Sequence, residues 1–284
     1  MSIIGHKGIQ VLSNINSVDD LPEVADVKSE AVWYIESGDL APDYIAPSLW
    51  DGQQFNHWIS LVDGEVLVDI PDSVVHHYDA SQDERSLGSV SSIPDLVGSI
   101  ALDDGTEVTL TDNGINSVQS YDTDGVEDYL LFDGNTITTP WTFIAVLRVR
   151  SSDRQMMFDH GGGGFASGDG GFDFIDPEND IRYGNGSSEI QVNDFNAVNN
   201  TFVTVIEQTS SNATLRFRDP TVVEDTAEVS GLSWNNSVID FFRDSRDQRY
   251  IDSFQAEIAV ADSGFDSELQ DFEDDLVGKW GINE

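Results

Sequence analysis

Thr201-Phe-Val-Thr-Val-Ile-Glu-Gln208 alternates apolar and polar residues through Phe202–Ile206, and Leu215-Arg-Phe-Arg218 repeats the pattern a short step later. A period of two puts every second side chain on one face, so each run reads as a strand with one wet face. Working outward, similar short runs recur at Gly98–Leu102, Glu107–Thr111, Tyr129–Phe132, Trp141–Val149, Gln155–Phe158, Gly171–Ile175, Ile181–Tyr183, Glu189–Val192, Val238–Phe242 and Phe254–Val260. Turn pairs such as Asp104-Gly105, Asn113-Gly114, Asp133-Gly134 and Asn185-Gly186 separate them. Many short strands with regular turn signals predict an all-β sandwich or jelly roll.

One helix is expected, at the C-terminus. Leu269, Phe272, Leu276 and Trp280 fall on one helical face, with Ser267 as N-cap, Gln270 at the capping-box spacing and Gly281 at the C-terminal cap. It reads as a packing helix that closes the sandwich. Residues 1–70 read as a small β-rich module and linker, residues 71–284 as the sandwich domain. The module carries three tryptophans, Trp33, Trp50 and Trp58, whose area suits a compact β-meander with a tiny core. His76-His77 falls at the junction and reads as a linker pair. Neighbours on an extended chain point to opposite faces, so the two histidines do not suit one metal ion.

The chain has 53 Asp and Glu against 13 Lys and Arg, a net charge of -40. Disorder is a poor explanation, because 39% of residues are hydrophobic and 10% aromatic. The acids are spread along the chain, so an acidic tail does not fit either. Asp outnumbers Glu 37 to 16 and only Lys7, Lys28 and Lys279 are lysine. At low salt such charge destabilises a compact state, whereas at molar salt the Debye length falls to about 3 Å and the penalty nearly vanishes. The composition therefore points to a very salty habitat, most simply a haloarchaeal one. It also argues against a nucleic-acid partner, which needs a basic face. There is no cysteine, so disulfides and thiolate metal sites are excluded. Neither a membrane-length apolar run nor a basic-then-apolar leader is present.

Residues from about Tyr78 to Ile282 resemble the concanavalin A-like, laminin G-like jelly roll of many tailed-virus structural proteins. Tyr78-Asp-Ala-Ser81 resembles the domain's opening, Asp128-Tyr-Leu-Leu-Phe-Asp-Gly134 its strand ending in F-D-G, and Thr139-Pro-Trp-Thr-Phe-Ile-Ala-Val-Leu147 the strand that follows. Asp159 to Phe172 is similar to its Gly-rich hairpin. Phe254-Gln-Ala-Glu-Ile-Ala-Val260, with the helix ending in Lys279-Trp-Gly-Ile282, is similar to its closing strand and helix. Trp33-Tyr34 and Leu49-Trp-Asp-Gly52 resemble units near the attachment ends of phage tail and fibre proteins.

The resemblance implies an all-β, concanavalin A-like jelly-roll sandwich with one C-terminal helix behind a small β-rich docking module. It implies a virion surface protein of a haloarchaeal tailed virus, serving host attachment or capsid or tail decoration. The partners would be other virion proteins through the N-terminal module and a host glycan or glycoprotein outside. A homo-oligomer, trimer or pentamer, is expected, located on the virion surface with no membrane partner. The rival is a secreted haloarchaeal lectin or glycan hydrolase.

No enzyme is expected. Retaining glycosidases need two carboxylates about 5–5.5 Å apart, and the family's E-x-D-x-x-E strand does not occur. Neither G-x-S-x-G nor H-E-x-x-H is present. Relatives of this fold often hold calcium at a sandwich edge. Asp122, Asp124 and Asp128 around Gly125 offer alternating carboxylates for it, although an ordinary acidic turn explains them too. Tyr121 and Trp234, predicted in loops, are candidates to stack on sugar rings, with a core role as the alternative. His160-Gly-Gly-Gly-Gly-Phe-Ala-Ser-Gly-Asp-Gly-Gly171 lacks the Lys of a P-loop and reads as a hairpin loop, or a contact loop at the tip. Asn185, Asn199, Asn212 and Asn235 begin N-x-S/T sequons, all in the sandwich.

Overall fold

A computed structural model describes residues 10–14, 21, 33–35, 37, 43–48, 57–60, 70–83, 85–103, 105–112, 114–132, 137–160, 171–176, 180–184, 188–193, 195–219, 221–229, 239–243 and 249–282. The chain divides into two compact units, residues 1–70 with 274–284 and residues 71–273. The first holds a four-stranded sheet of β1 (Gln10–Leu12), β2 (Trp33–Ile35), β3 (Asp43–Ser48) and β4 (His57–Ser60), in that order. β1 runs parallel to β2 and the other pairs are antiparallel, so the module is a mixed sheet rather than a simple meander. Ile35 and Ile45 are fully buried there. Trp50 lies outside the described residues.

The second unit is a sandwich of two antiparallel sheets. Its strands are β5 (Val74–Asp79), β6 (Gly88–Val90), β7 (Val108–Thr111), β8 (Ser120–Asp124), β9 (Leu130–Phe132), β10 (Trp141–Val149), β11 (Gln155–His160), β12 (Gly171–Asp176), β13 (Asp180–Gly184), β14 (Glu189–Asn193), β15 (Thr201–Gln208), β16 (Asn212–Arg218), β17 (Val222–Glu228), β18 (Ile239–Phe241) and β19 (Asp252–Ala261). Nine form one sheet in the order β17-β16-β15-β10-β19-β8-β7-β6, with β5 also paired to β19. β8 takes the first half of β19, residues 252–255, and β5 the second half, residues 257–261. The facing sheet has six strands in the order β14-β13-β12-β11-β18-β9.

Alternation decides which residues meet between the sheets. Phe143, Ala145 and Leu147 of β10, Phe202 and Ile206 of β15, Phe217 of β16 and Ile258 and Val260 of β19 face Phe158, Phe172, Phe174 and Phe241 of the smaller sheet. Phe143 meets Phe158 edge-on at 5.0 Å, and Phe195 stacks on Phe217 at 4.7 Å. Aromatic pairs of this kind add to the aliphatic burial between the sheets. The helix α1 (Ser267–Lys279) brings Phe272 to 6.1 Å from His77 and Gln270 to 3.0 Å from Arg216, on the outer face of the nine-stranded sheet.

Several local expectations change. His76-His77 lies in a buried strand, Val74–Asp79, rather than in a linker, because β19 offers that strand an edge to pair with. Gly98–Leu102 forms no strand; only Leu102 bridges, to Ile93, and the preceding residues wrap the Asp95 carboxylate. β8, polar with two Asp, and β17, with Glu224, Asp225 and Glu228, go beyond the expected strands; each is held by pairing to a neighbour. The helix is capped by Asp266, whose Oδ1 accepts from Glu268 N and Leu269 N at 3.1 Å, not by Ser267. Its far end matches the expectation. Gly281 has φ +59°, Gly281 N bonds Gly278 O at 3.1 Å, and Ile282 N bonds Val277 O at 3.0 Å, a Schellman closure.

Candidate functional site

Strand β5 places His76 and His77 on opposite sides of the nine-stranded sheet. His76 shares the inner side with Tyr78 and sets its ring edge-on to Phe132 at 4.9 Å. Its Nδ1 meets Asp95 Oδ2 at 2.7 Å. Asp95 follows Pro94 and organises the loop it stands in. Its Oδ1 accepts from His77 N at 3.0 Å, Gly98 N at 2.9 Å and Val97 N at 3.2 Å, and its Oδ2 from Ile100 N at 3.3 Å. Burial opposes the charge, but the bonds from His76 and these backbone N–H groups outweigh it and hold the carboxyl at about 2. Asp95 is therefore ionised at neutral pH, an acceptor to which His76 Nδ1 donates.

Among the described residues the Nε2 of His76 has no hydrogen-bond partner, and His76 lines a surface depression of about 350 Å³. Val75, Ile100 and Ile137 supply apolar lining, and Ser99, Thr138 and Asp262 supply hydroxyl and carboxylate oxygens. Gly98 closes over the dyad. A Cβ there would stand 2.4 Å from Asp95 Oδ2 and 2.6 Å from Val75 O, so only glycine lets the loop approach this near. The result is a small concave surface with an oriented imidazole, hydroxyls and an apolar wall, and no Lys or Arg among the described residues of its lining. The sequence held a signal for it, the Pro94-Asp95 turn with Gly98 three residues on.

On the outer side, His77 Nε2 meets Glu257 Oε1 at 2.6 Å. The two histidines thus have separate partners, as strand alternation requires, but they are buried in a strand and not in a linker.

The acids expected to hold calcium serve three different contacts. Asp122 Oδ1 accepts from Arg150 Nη2 at 2.6 Å. Asp124 Oδ1 accepts from Val126 N at 2.8 Å and Glu127 N at 3.1 Å, closing the turn around Gly125. Asp128 Oδ2 accepts from Asp124 N at 2.8 Å. Burial, then Asp124, Asp122 and Glu127, push the Asp128 carboxyl up to about 6, against the bond from Asp124 N. Asp122 and Asp124 belong to β8 rather than to the turn itself.

Tyr121 is a correction. It is not in a loop but in β8, 2% exposed, with its hydroxyl donated to Asp83 Oδ2 at 2.8 Å. Pairing of β8 to both β7 and β19 turns the ring inward, where it cannot stack on a sugar. Trp234 and the Gly-rich segment 161–170 lie outside the described residues, as do Asn185 and Asn235. Asn199 and Asn212 are exposed.

The outer face of the six-stranded sheet carries charges the sequence did not single out. Asp173 is fully buried and accepts from Arg154 Nη2 at 2.5 Å and Arg182 Nη2 at 3.0 Å, with Arg249 Nη1 at 3.7 Å. On the neighbouring strands Asp159 stands opposite Asp240 in register, both buried, and Arg243 holds Asp240 Oδ1 at 2.6 Å.

No protein family matches the chain, and no curated protein matches it by sequence. Solved structures do match by fold. The binding domain of Paraclostridial Mosquitocidal Protein 1 is similar at TM-score 0.51 and 12% identity, over 71% of this chain and 52% of that one. The botulinum neurotoxin serotype D binding domain matches at TM-score 0.52 and 11% identity, over 74% and 55%. A Trypanosoma rangeli sialidase matches at TM-score 0.51 and 9% identity, over 84% of this chain and 37% of the enzyme. The chain thus spans about half the length of the toxin domains it matches. These likenesses show the fold, an all-β jelly-roll sandwich with a single C-terminal helix.

Proposed function

We propose that the sandwich is a glycan-recognising surface module, carried on the exterior of a haloarchaeal tailed virus and used for host attachment or decoration. The observation that carries the reading is the depression beside His76. A neutral sugar ring offers hydroxyls to an oriented nitrogen and to carboxylate and hydroxyl oxygens, and C–H faces to aliphatic walls; His76, Asp262, Ser99, Thr138, Val75 and Ile100 present that set. The similar toxin structures are themselves binding domains. The virion setting is supported by the motif series along the second domain and by the net charge of -40. In this reading the module is not an enzyme, and weak single contacts sum through a homo-oligomer.

The test uses the full chain at molar salt. It should coat haloarchaeal cells and bind a panel of neutral glycans. His76→Ala should weaken binding at least tenfold without lowering the unfolding midpoint by more than a few degrees. Equal binding by both proteins, or none by either, would sink the reading.

A second reading, a secreted glycan hydrolase, is favoured by one observation, the register-opposed Asp159 and Asp240 on the six-stranded sheet. It requires glycan cleavage that Asp159→Asn abolishes.

A further inference from the structure

Among the described residues, one set of three His, Asp and Glu side chains brings its donor atoms within 4.8 Å of one another: His77, Asp79 and Glu257. Strand geometry explains the convergence. His77 and Asp79 are two residues apart on β5 and project from the same face. Glu257 stands directly opposite Asp79 on β19, while the residue opposite His77 is the small Ala259. Two alternate residues of one strand and one residue of its antiparallel partner make a tripod on a rigid backbone. All three are at most 2% exposed.

The set is also oriented from behind. Asp79 Oδ1 accepts from Ser81 N at 2.9 Å and Ser81 Oγ at 2.7 Å, and Oδ2 from Gln82 Nε2 at 3.0 Å. Outer bonds of this kind fix a carboxylate for coordination. His77 aims Nε2 into the group, and its Nδ1 has no hydrogen-bond partner among the described residues.

We propose that His77, Asp79 and Glu257 form a three-ligand site for one divalent first-row cation, with Zn2+ the best match and the fourth position left open. One imidazole and two carboxylates suit a borderline cation better than calcium, which takes six to eight oxygens. Cation–ligand distances of about 2.1 Å put tetrahedral ligands about 3.4 Å apart. The 2.6 Å His77–Glu257 bond therefore opens by about 0.8 Å on binding, within reach of side-chain rotation. The cation would pin β5 to β19, on the opposite side of the sheet from His76. It is independent of glycan recognition.

The experiment strips the full chain with chelator in molar NaCl, adds Zn2+ or Co2+, dialyses, and measures bound metal and thermal midpoint. One metal per chain should remain, Co2+ should give a visible absorption band, and the midpoint should rise by about 5 °C. His77→Ala and Glu257→Gln should each lose all three signals, while Asp122→Asn keeps them. Should His77→Ala fail to fold, the near-isosteric Glu257→Gln decides. No retained metal in the native chain, or equal retention and shift in Glu257→Gln, overturns the proposal.

Discussion

Arg150 reaches Asp122 through Nη2 at 2.6 Å and thereby places a fixed cation where the sequence suggested a calcium ligand. The same guanidinium donates through Nε to Asp252 Oδ1 at 2.6 Å and through Nη2 to Thr123 O at 2.7 Å, and it lies over the Phe254 ring at 4.4 Å. It therefore ties β8 to β19 by charge, hydrogen bond and ring contact together. Arg150→Gln should destabilise the sandwich by about 1–3 kcal/mol, the range for a hydrogen bond to a charged group left unmade. Denaturant titration at neutral pH measures it. A loss as large when Asp122 and Asp252 are already replaced by Asn would show that charge is not the cause.

Asp128 gives the clearest pH dependence. Its folded value is raised to about 6 from 3.8, so the folded state holds a proton that the unfolded chain releases. The group is neutral for stability below about pH 4. It becomes destabilising as pH rises from there through 6, and the full penalty persists above. Asp128→Asn keeps an acceptor for Asp124 N and removes the charge. The variant should be more stable than the native chain by about 0.5–1 kcal/mol at pH 7, the shift being discounted because the carboxyl is partly open to water and salt. The two proteins should converge at pH 3.5. A difference that does not vary with pH would refute this account.

Gly98 tests how tightly the His76–Asp95 dyad is built. The added methyl of Gly98→Ala would meet Asp95 Oδ2, Val75 O and His76 Nδ1, all inside 3.0 Å, and all three are fixed by hydrogen bonds or backbone. Relief requires the loop to lift, at about 1–3 kcal/mol, the usual cost of overpacking. Glycan binding should fall with it. Native stability in the Gly98→Ala variant would mean that the loop is not held by the Asp95 carboxylate.

What could be read from the sequence followed from residues that answer to one local rule. Phe143–Leu147 and Phe202–Ile206 are apolar enough to specify buried strands wherever they sit, and the paired register of β10 with β15 bears this out. The Gly281 end of the helix was legible for the same reason. The failures are elements whose stability comes from a partner. β8, Ser-Tyr-Asp-Thr-Asp, has the composition of a turn and becomes a strand because β7 and β19 flank it. The site suffered most, since Asp95 and His76 are 19 residues apart and Glu257 and His77 are 180 apart. Only long-range strand pairing brings them together. Amid 53 acids, no single carboxylate stands out in sequence.

The acidity itself can be tested at one strand. β17 ends the nine-stranded sheet, and Glu224, Asp225 and Glu228 on it are exposed. Charge on an open edge blocks pairing with another chain. In dilute buffer, where the Debye length is about 10 Å at 0.1 M, these acids also repel the rest of a chain of net charge -40. Native protein should therefore unfold at lower denaturant as NaCl is removed, and any oligomer should dissociate before the sandwich melts. Neutralising the edge with Glu224→Gln, Asp225→Asn and Glu228→Gln should lower the salt concentration needed for folding. In molar salt, where repulsion is already screened, the same change should promote association. Sedimentation and denaturation across a NaCl series read both effects. A salt requirement unchanged by the triple substitution would place the halophilic dependence elsewhere on the surface, and stability indifferent to NaCl would remove it altogether.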